Sequence, residues 1–197
     1  MKRRLLAGLL LAGCGSQPAT QTSQITPPIQ GIVGFGNAGN LPALSGTVQF
    51  QRVSAKHKEG EPFLDFGDQI YLPVRHAFTE LQDQDGVAVS NTTTDGNGYF
   101  AFDVATLPKA YRVRVHSRSA GPVPLVQVQD NTRGDAVYVA QSDLLRDPQF
   151  VNIQFASGYD RGGNITVASR PSGAFATYDG ILNAALYFQE AGQDPTS

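Results

Sequence analysis

The side chains able to do chemistry are few and widely spaced. Three histidines, His57, His76 and His116, have no i, i+4 partner and no neighbouring acid at metal-ligand spacing, so a zinc centre would need convergence of distant segments. His76 and His116 fall within strand patterns and read as ordinary, partly exposed side chains. Two acidic turns, Asp83-Gln84-Asp85-Gly86 and Asp95-Gly96-Asn97-Gly98, carry the hard oxygens that calcium takes. Asp83, Asp85, Asp95 and Asn97 are therefore the weak calcium candidates, and a site would form where the two loops meet. Neither turn completes a calcium loop: the first lacks a third ligand in register, and counting from Asp95 the twelfth position is Thr106 instead of Glu. Turn chemistry accounts for both. No Gly-x-Ser-x-Gly elbow or Ser-x-x-Lys pair supplies a nucleophile. Gly158, Gly162 and Gly163 flank Tyr159-Asp160-Arg161 with no Lys-Ser/Thr after them, which reads as a loop and not a phosphate cradle. The chain is expected to be no enzyme and to hold no cofactor.

The elements that would position these residues are mostly strands. With 197 residues, a hydrophobic share of 41%, 21 Gly and 12 Pro, the chain is long enough for a core without disulfides and favours many turns over long helices. Alternation of period two marks strands at Val48 and Phe50, at 75–81, from Val87 and Val89, at 99–103 and at 111–115. Residues 125–128, 136–140 and 151–155 are further candidates. The charged run 56–60 reads as a loop, and the Asp85-Gly86 pair as a tight turn. Short strands at this spacing predict a mainly β, antiparallel sandwich. Tyr71, Phe78, Tyr99, Phe100, Phe102 and Tyr111 divide between its core and exposed strand faces. From Phe175 the period becomes helical through Tyr178, Leu182 and Ala185, with Ile181 and Leu186 alongside; Ser172 is placed to cap the helix and Gly192 to end it.

The first residues are of another kind. Met1-Lys2-Arg3-Arg4 and the apolar run 5–12 have the basic and apolar regions of an export signal, too short to span a bilayer as a helix. Leu11-Ala12-Gly13-Cys14 follows, and it resembles the lipobox of bacterial lipoproteins, in which the cysteine accepts the lipid. Cys14 is the only cysteine, so an internal disulfide is excluded. The resemblance implies removal of residues 1–13, acyl chains on Cys14 and a membrane partner through that anchor; Gly15 and Ser16 after it, with no acid, point to the outer membrane where there is one. Without Lys2, Arg3 and Arg4 the chain has 12 basic against 17 acidic residues, a net charge of -5, which argues against nucleic acid. Arg112, Arg114 and Arg118 form the one basic stripe, alternating with Tyr111, Val113 and Val115 as the solvated side of a strand would. Residues 14–44 continue as a Gln, Thr, Ser, Pro and Gly-rich linker.

Thr94-Asp95-Gly96-Asn97-Gly98-Tyr99-Phe100, with Pro73-Val74, the Asp85-Gly86 turn and Tyr111-Arg112-Val113-Arg114-Val115, resembles the carboxypeptidase regulatory-like domain, a transthyretin-like sandwich. The resemblance spans residues 45–119 and departs from the usual pattern in a long charged insertion between Phe50 and Tyr71. It implies an accessory module without catalytic residues. Residues 120–197 form an extension with strands and a terminal helix. Within it, Ala168-Ser169-Arg170-Pro171-Ser172-Gly173-Ala174-Phe175-Ala176 resembles the segment that precedes a zinc-peptidase domain in large secreted bacterial proteins. Three functions follow as expectations: a lipid-anchored binding or scaffolding module with a protein or glycan partner at the cell envelope, the accessory portion of a metallopeptidase, or an envelope binder of carbohydrate or small molecules.

Overall fold

The computed structural model describes residues 24–25, 44–103, 107–146, 150–167 and 170–192. The leader, Cys14 and nearly all of the linker expected at 14–44 lie outside the described residues. The elements in chain order are β1 (Gln24–Ile25), β2 (Leu44–Lys58), β3 (Glu61–Pro73), β4 (Ala77–Asp83), β5 (Ala88–Thr93), β6 (Tyr99–Phe102), β7 (Tyr111–Ser119), β8 (Gln129–Asp130), β9 (Ala136–Val137), β10 (Val139–Gln141), β11 (Phe150–Phe155) and α1 (Pro171–Glu190). The protein is mainly β, a sandwich with a C-terminal helix.

One sheet runs β1-β11-β2-β3, with β6 pairing the start of β2; the other runs β10-β7-β4-β5. Alternation decides what each strand buries. Leu44, Val48 and Phe50 of β2, Val151, Ile153 and Phe155 of β11, and Phe100 and Phe102 of β6 point inward from the first sheet. Tyr111, Val113 and Val115 of β7 and Ala77 and Leu81 of β4 do so from the second, and all belong to one buried cluster. Both sheets recruit strands from beyond residue 119: β10 adds antiparallel to β7, and β11 adds parallel to β2. Gly46 lies at the meeting of β2, β6 and β11. A side chain there would intrude on the Val151 carbonyl and the Phe100 ring, so the bare α-carbon is what lets three strands close over this point.

The charged stretch after Phe50 is ordered. Lys56, His57 and Lys58 belong to β2, and the loop expected at 56–60 shrinks to Glu59 and Gly60, both at positive φ (56° and 89°), as a two-residue hairpin turn requires. Beyond Gln51 the β2–β3 ribbon passes the end of β11, so both of its faces meet solvent. Adjacent Phe63 and Leu64 are 44% and 51% exposed. A ribbon with no buried face has no reason to alternate, which is why the sequence reads as an insertion there. At its base the register shifts between Val53 and Ser54, and Phe66 packs on Tyr159 at 4.9 Å.

Other boundaries move for local reasons. His76 lies outside β4, at a corner with φ 52°, where its carbonyl accepts from the Ala120 N–H. Residues 125–128 are not a strand: they follow the end of β7 through single bonds, Ser119 N–H to Val126 O and Val128 N–H to Ser117 O. The stretch 136–140 is split at Tyr138, whose N–H and C=O turn to Val128 and Ser117.

Helix α1 buries Phe175, Tyr178, Leu182 and Ala185 against the sandwich, whereas Ile181 is on the outer side, 47% exposed. Pro171 suits a first turn, having no N–H to leave unpaired. Ser172 does not cap the helix; its hydroxyl donates to the Gln51 carbonyl at 2.5 Å and fastens the helix to β2. Gly192, at φ 72°, donates to the Gln189 carbonyl and closes the far end. Phe155 and Phe175 stack at 5.6 Å, Tyr178 donates its hydroxyl proton to the Arg75 carbonyl, and the Arg75 guanidinium grips Asp179 (3.0 and 2.5 Å) and Asn183 (2.6 Å). Asp179 is nearly buried, so its removal leaves a largely covered guanidinium without its counter-charge. Asp179→Ala is expected to lower stability by about 2 kcal/mol. Urea unfolding checks this: the midpoint should fall with little change in slope.

Candidate functional site

The expected calcium loops do not meet. The turn 83–87 joins β4 to β5 and the turn 94–98 joins β5 to β6, so they lie at opposite ends of β5, six residues and about 20 Å apart. Each is held by its own leading carboxylate. Asp83 accepts from the N–H groups of Asp85 and Val87, and Asp95 from those of Asn97 and Tyr99. The Asp160 turn repeats the device, and the Asn164 side-chain amide, with the N–H groups of Asn164 and Gly162, donates to its carboxyl and holds it below the usual carboxylate range. These aspartates are the internal struts of turns. Among the described residues no three His, Cys, Asp or Glu side chains gather as a metal would require.

The basic stripe is on the outer face of the second sheet, where β7 alternates buried and half-buried positions throughout its length. The side chains there engage one another. The Glu80 carboxylate lies 2.7 Å from His116 Nε2 and 3.9 Å from the Arg114 guanidinium, and the Arg118 guanidinium rests 4.7 Å over the Phe78 ring. Burial pushes His116 below the ordinary histidine range; Glu80 opposes that shift and Arg114 and Arg118 add to it. Nε2 faces a carboxylate, which can only accept, so that ring nitrogen is the donor.

A different place, not singled out in the sequence, is concave. An open groove of about 440 Å³ runs between the start of α1, the loop after β11 and the β8–β9 hairpin. Arg170 and Gly173 come from the first, Ser157 and Tyr159 from the second, Gln129 and Tyr138 from the third. None of the described residues that line it is acidic. The Arg170 guanidinium lies 4.6 Å over the Tyr159 ring, and among the described residues it has no carboxylate partner. Gly158, at φ 78°, makes that posture possible, since a side chain there would strike the aliphatic stem of Arg170. Ser157 is fixed behind it: its hydroxyl donates to Gln69, and the Gln51 side chain accepts from its N–H. In the sequence Tyr159 appears only as part of a loop and Arg170 only within the segment before the helix; the third wall, at Gln129 and Tyr138, comes from more than 20 positions before Tyr159.

Comparison with family models, curated proteins and solved structures finds no match for the chain.

The partly buried histidine makes a prediction about pH. A group whose folded pKa is depressed binds its proton more readily when unfolded, so stability is complete above the ordinary value of about 6.5 and declines as the pH falls through it toward the folded value. Urea midpoints of the native protein should therefore drop between about pH 7.5 and about pH 5.5, and His116→Gln should flatten that dependence.

Proposed function

We propose that the chain is a membrane-anchored lipoprotein whose β-sandwich is a non-catalytic binding or scaffolding module of the cell envelope. The observation that carries the binding role is the groove: three segments fixed to one core place two tyrosines and Arg170 around an open volume of ligand size. The anchor rests on Leu11-Ala12-Gly13-Cys14 after a basic and apolar leader. Lipid on Cys14 would hold the module at the membrane surface while the linker gives it reach, and groove, loops or sheet edge would then meet a protein or glycan partner. The likeness of residues 45–119 to the carboxypeptidase regulatory-like domain supports the same accessory role.

One observation favours the peptidase-accessory reading: Ile181, Tyr187 and Phe188 stay exposed along α1, an apolar flank that a following domain would cover. A His-Glu-x-x-His coding segment downstream of Ser197 in the same or an interrupted frame would shift the balance to it. Among the described residues no helix is long and apolar enough to cross a membrane.

Cys14→Ala tests the anchor. The native protein is expected in the membrane fraction with acyl mass on the peptide that begins at Cys14, and the variant in the soluble fraction. A variant that stays equally membrane-bound overturns the reading.

A further inference from the structure

The outer face of the second sheet carries a charge pattern that neither the turns nor the groove uses. β7 places Arg112, Arg114, His116 and Arg118 on that side, at alternate positions of a strand whose other positions are buried. Successive side chains of such a row stand about 7 Å apart, so it runs for about 20 Å. Glu80, opposite Arg114 in register, is engaged with His116 at 2.7 Å and lies 3.9 Å from the Arg114 guanidinium. Among the described residues Arg112 and Arg118 have no carboxylate partner. The row is therefore cationic, on a chain whose acids outnumber its bases by 17 to 15.

Two further observations bear on its use. The cations are held: strands pair with β7 on both sides, Arg118 rests 4.7 Å over the Phe78 ring, and the His116 ring meets Phe78 at 5.2 Å. A ligand would have little side-chain freedom left to remove. Arg114, moreover, keeps a buried Nε without a hydrogen-bond partner, a cost that a lysine would not carry, and its long approach to Glu80 is a poor return for it. What arginine supplies instead is a planar fork for oxyanions. The neighbours narrow the kind of anion. Asn91 and Thr93 of β5 lie opposite Glu80 and Phe78, so amide and hydroxyl groups flank the row, as sugar hydroxyls require. The Phe78 ring, which could have stacked a base, is covered by Arg118.

We propose that this face binds a linear acidic polysaccharide along β7, with Arg112, Arg114 and Arg118 meeting its successive carboxylate or sulfate groups. The inference deepens the binding-module reading by naming a partner, and it uses neither the groove nor the anchor.

Isothermal titration of the full chain, purified from membranes in neutral detergent, tests it with hexagalacturonate, a heparin hexasaccharide and neutral maltohexaose. At least one acidic chain should saturate while maltohexaose stays silent, and the one that responds identifies the acid group. Its affinity should fall by about tenfold between about 50 and about 200 mM NaCl. Arg112→Gln and Arg118→Gln should each weaken it by about fivefold, and the double variant by more. Lys58→Gln, which removes the same charge at the tip of the β2–β3 ribbon, should leave it unchanged. Asn91→Lys, which adds a cation to the face, should tighten it severalfold, a gain that misfolding cannot imitate. No saturation by either acidic chain, equal binding of maltohexaose, equal losses from Lys58→Gln and Arg112→Gln, or no gain from Asn91→Lys each overturns the proposal. So does oligothymidylate or polyglutamate binding as tightly as the sugars, since charge alone would then explain the face. Failure here with Cys14→Ala still releasing the protein removes this face and leaves the anchored module, whereas a variant that stays on the membrane removes the anchor whatever the calorimeter shows.

Discussion

The architecture depends on a backbone contact that only glycine permits. β2 receives β11 on one edge and β6, then β3, on the other, and the first two neighbours converge at Gly46. Any side chain there would meet the Val151 carbonyl and the Phe100 ring, so the parallel pairing of β2 with β11 and the aromatic layer of β6 both require that bare position. Once β11 is seated, Phe155 is available to stack on Phe175, and Ser157 and Tyr159 are carried alongside the β2–β3 ribbon. The groove walls are thus set by the strand pairing and not by the loops themselves.

The helix is fixed by a second constraint, which is polar. Apolar burial of Phe175, Tyr178 and Leu182 would tolerate sliding along the sandwich. Directional bonds oppose it: Ser172 on the Gln51 carbonyl at one end, then Tyr178 on the Arg75 carbonyl and Arg75 on Asp179 one to two turns later. Because Arg170 and Gly173 adjoin the first of these anchors, the position of the groove's cationic wall follows from them.

Much of the sandwich was legible in the residues, and the exceptions have physical causes. β7 alternates because one side is buried and the other is not, so Tyr111, Val113 and Val115 stood out. The ribbon from Gln51 to Tyr71 has two solvated faces, and its Phe63-Leu64 pair gave no period to read. Ser172 matched a helix cap by type and place, but a hydroxyl bonds whatever is nearest, and the Gln51 carbonyl came from 121 positions away. The Asp turns were read correctly as turns, whereas their supposed meeting depended on which ends of β5 they occupied. The groove was invisible for a similar reason, as its tyrosines and arginine become neighbours only through pairings that no local pattern records.

The parallel strand also governs when this chain can fold. β2 lies near the start of the described residues, and the strand that completes its edge is separated from it by 105 positions, as the Thr47 to Asn152 and Gln154 to Gln49 side-chain bonds record. Closing so long a loop has its entropic cost before any of the contacts form. A nascent chain that has exposed only β2 to β7 holds one sheet with an open edge and a bare apolar flank where β11 and α1 belong. The native state is consequently reached only after nearly the whole polypeptide is available, because the strand and the helix that close the core come last in the chain.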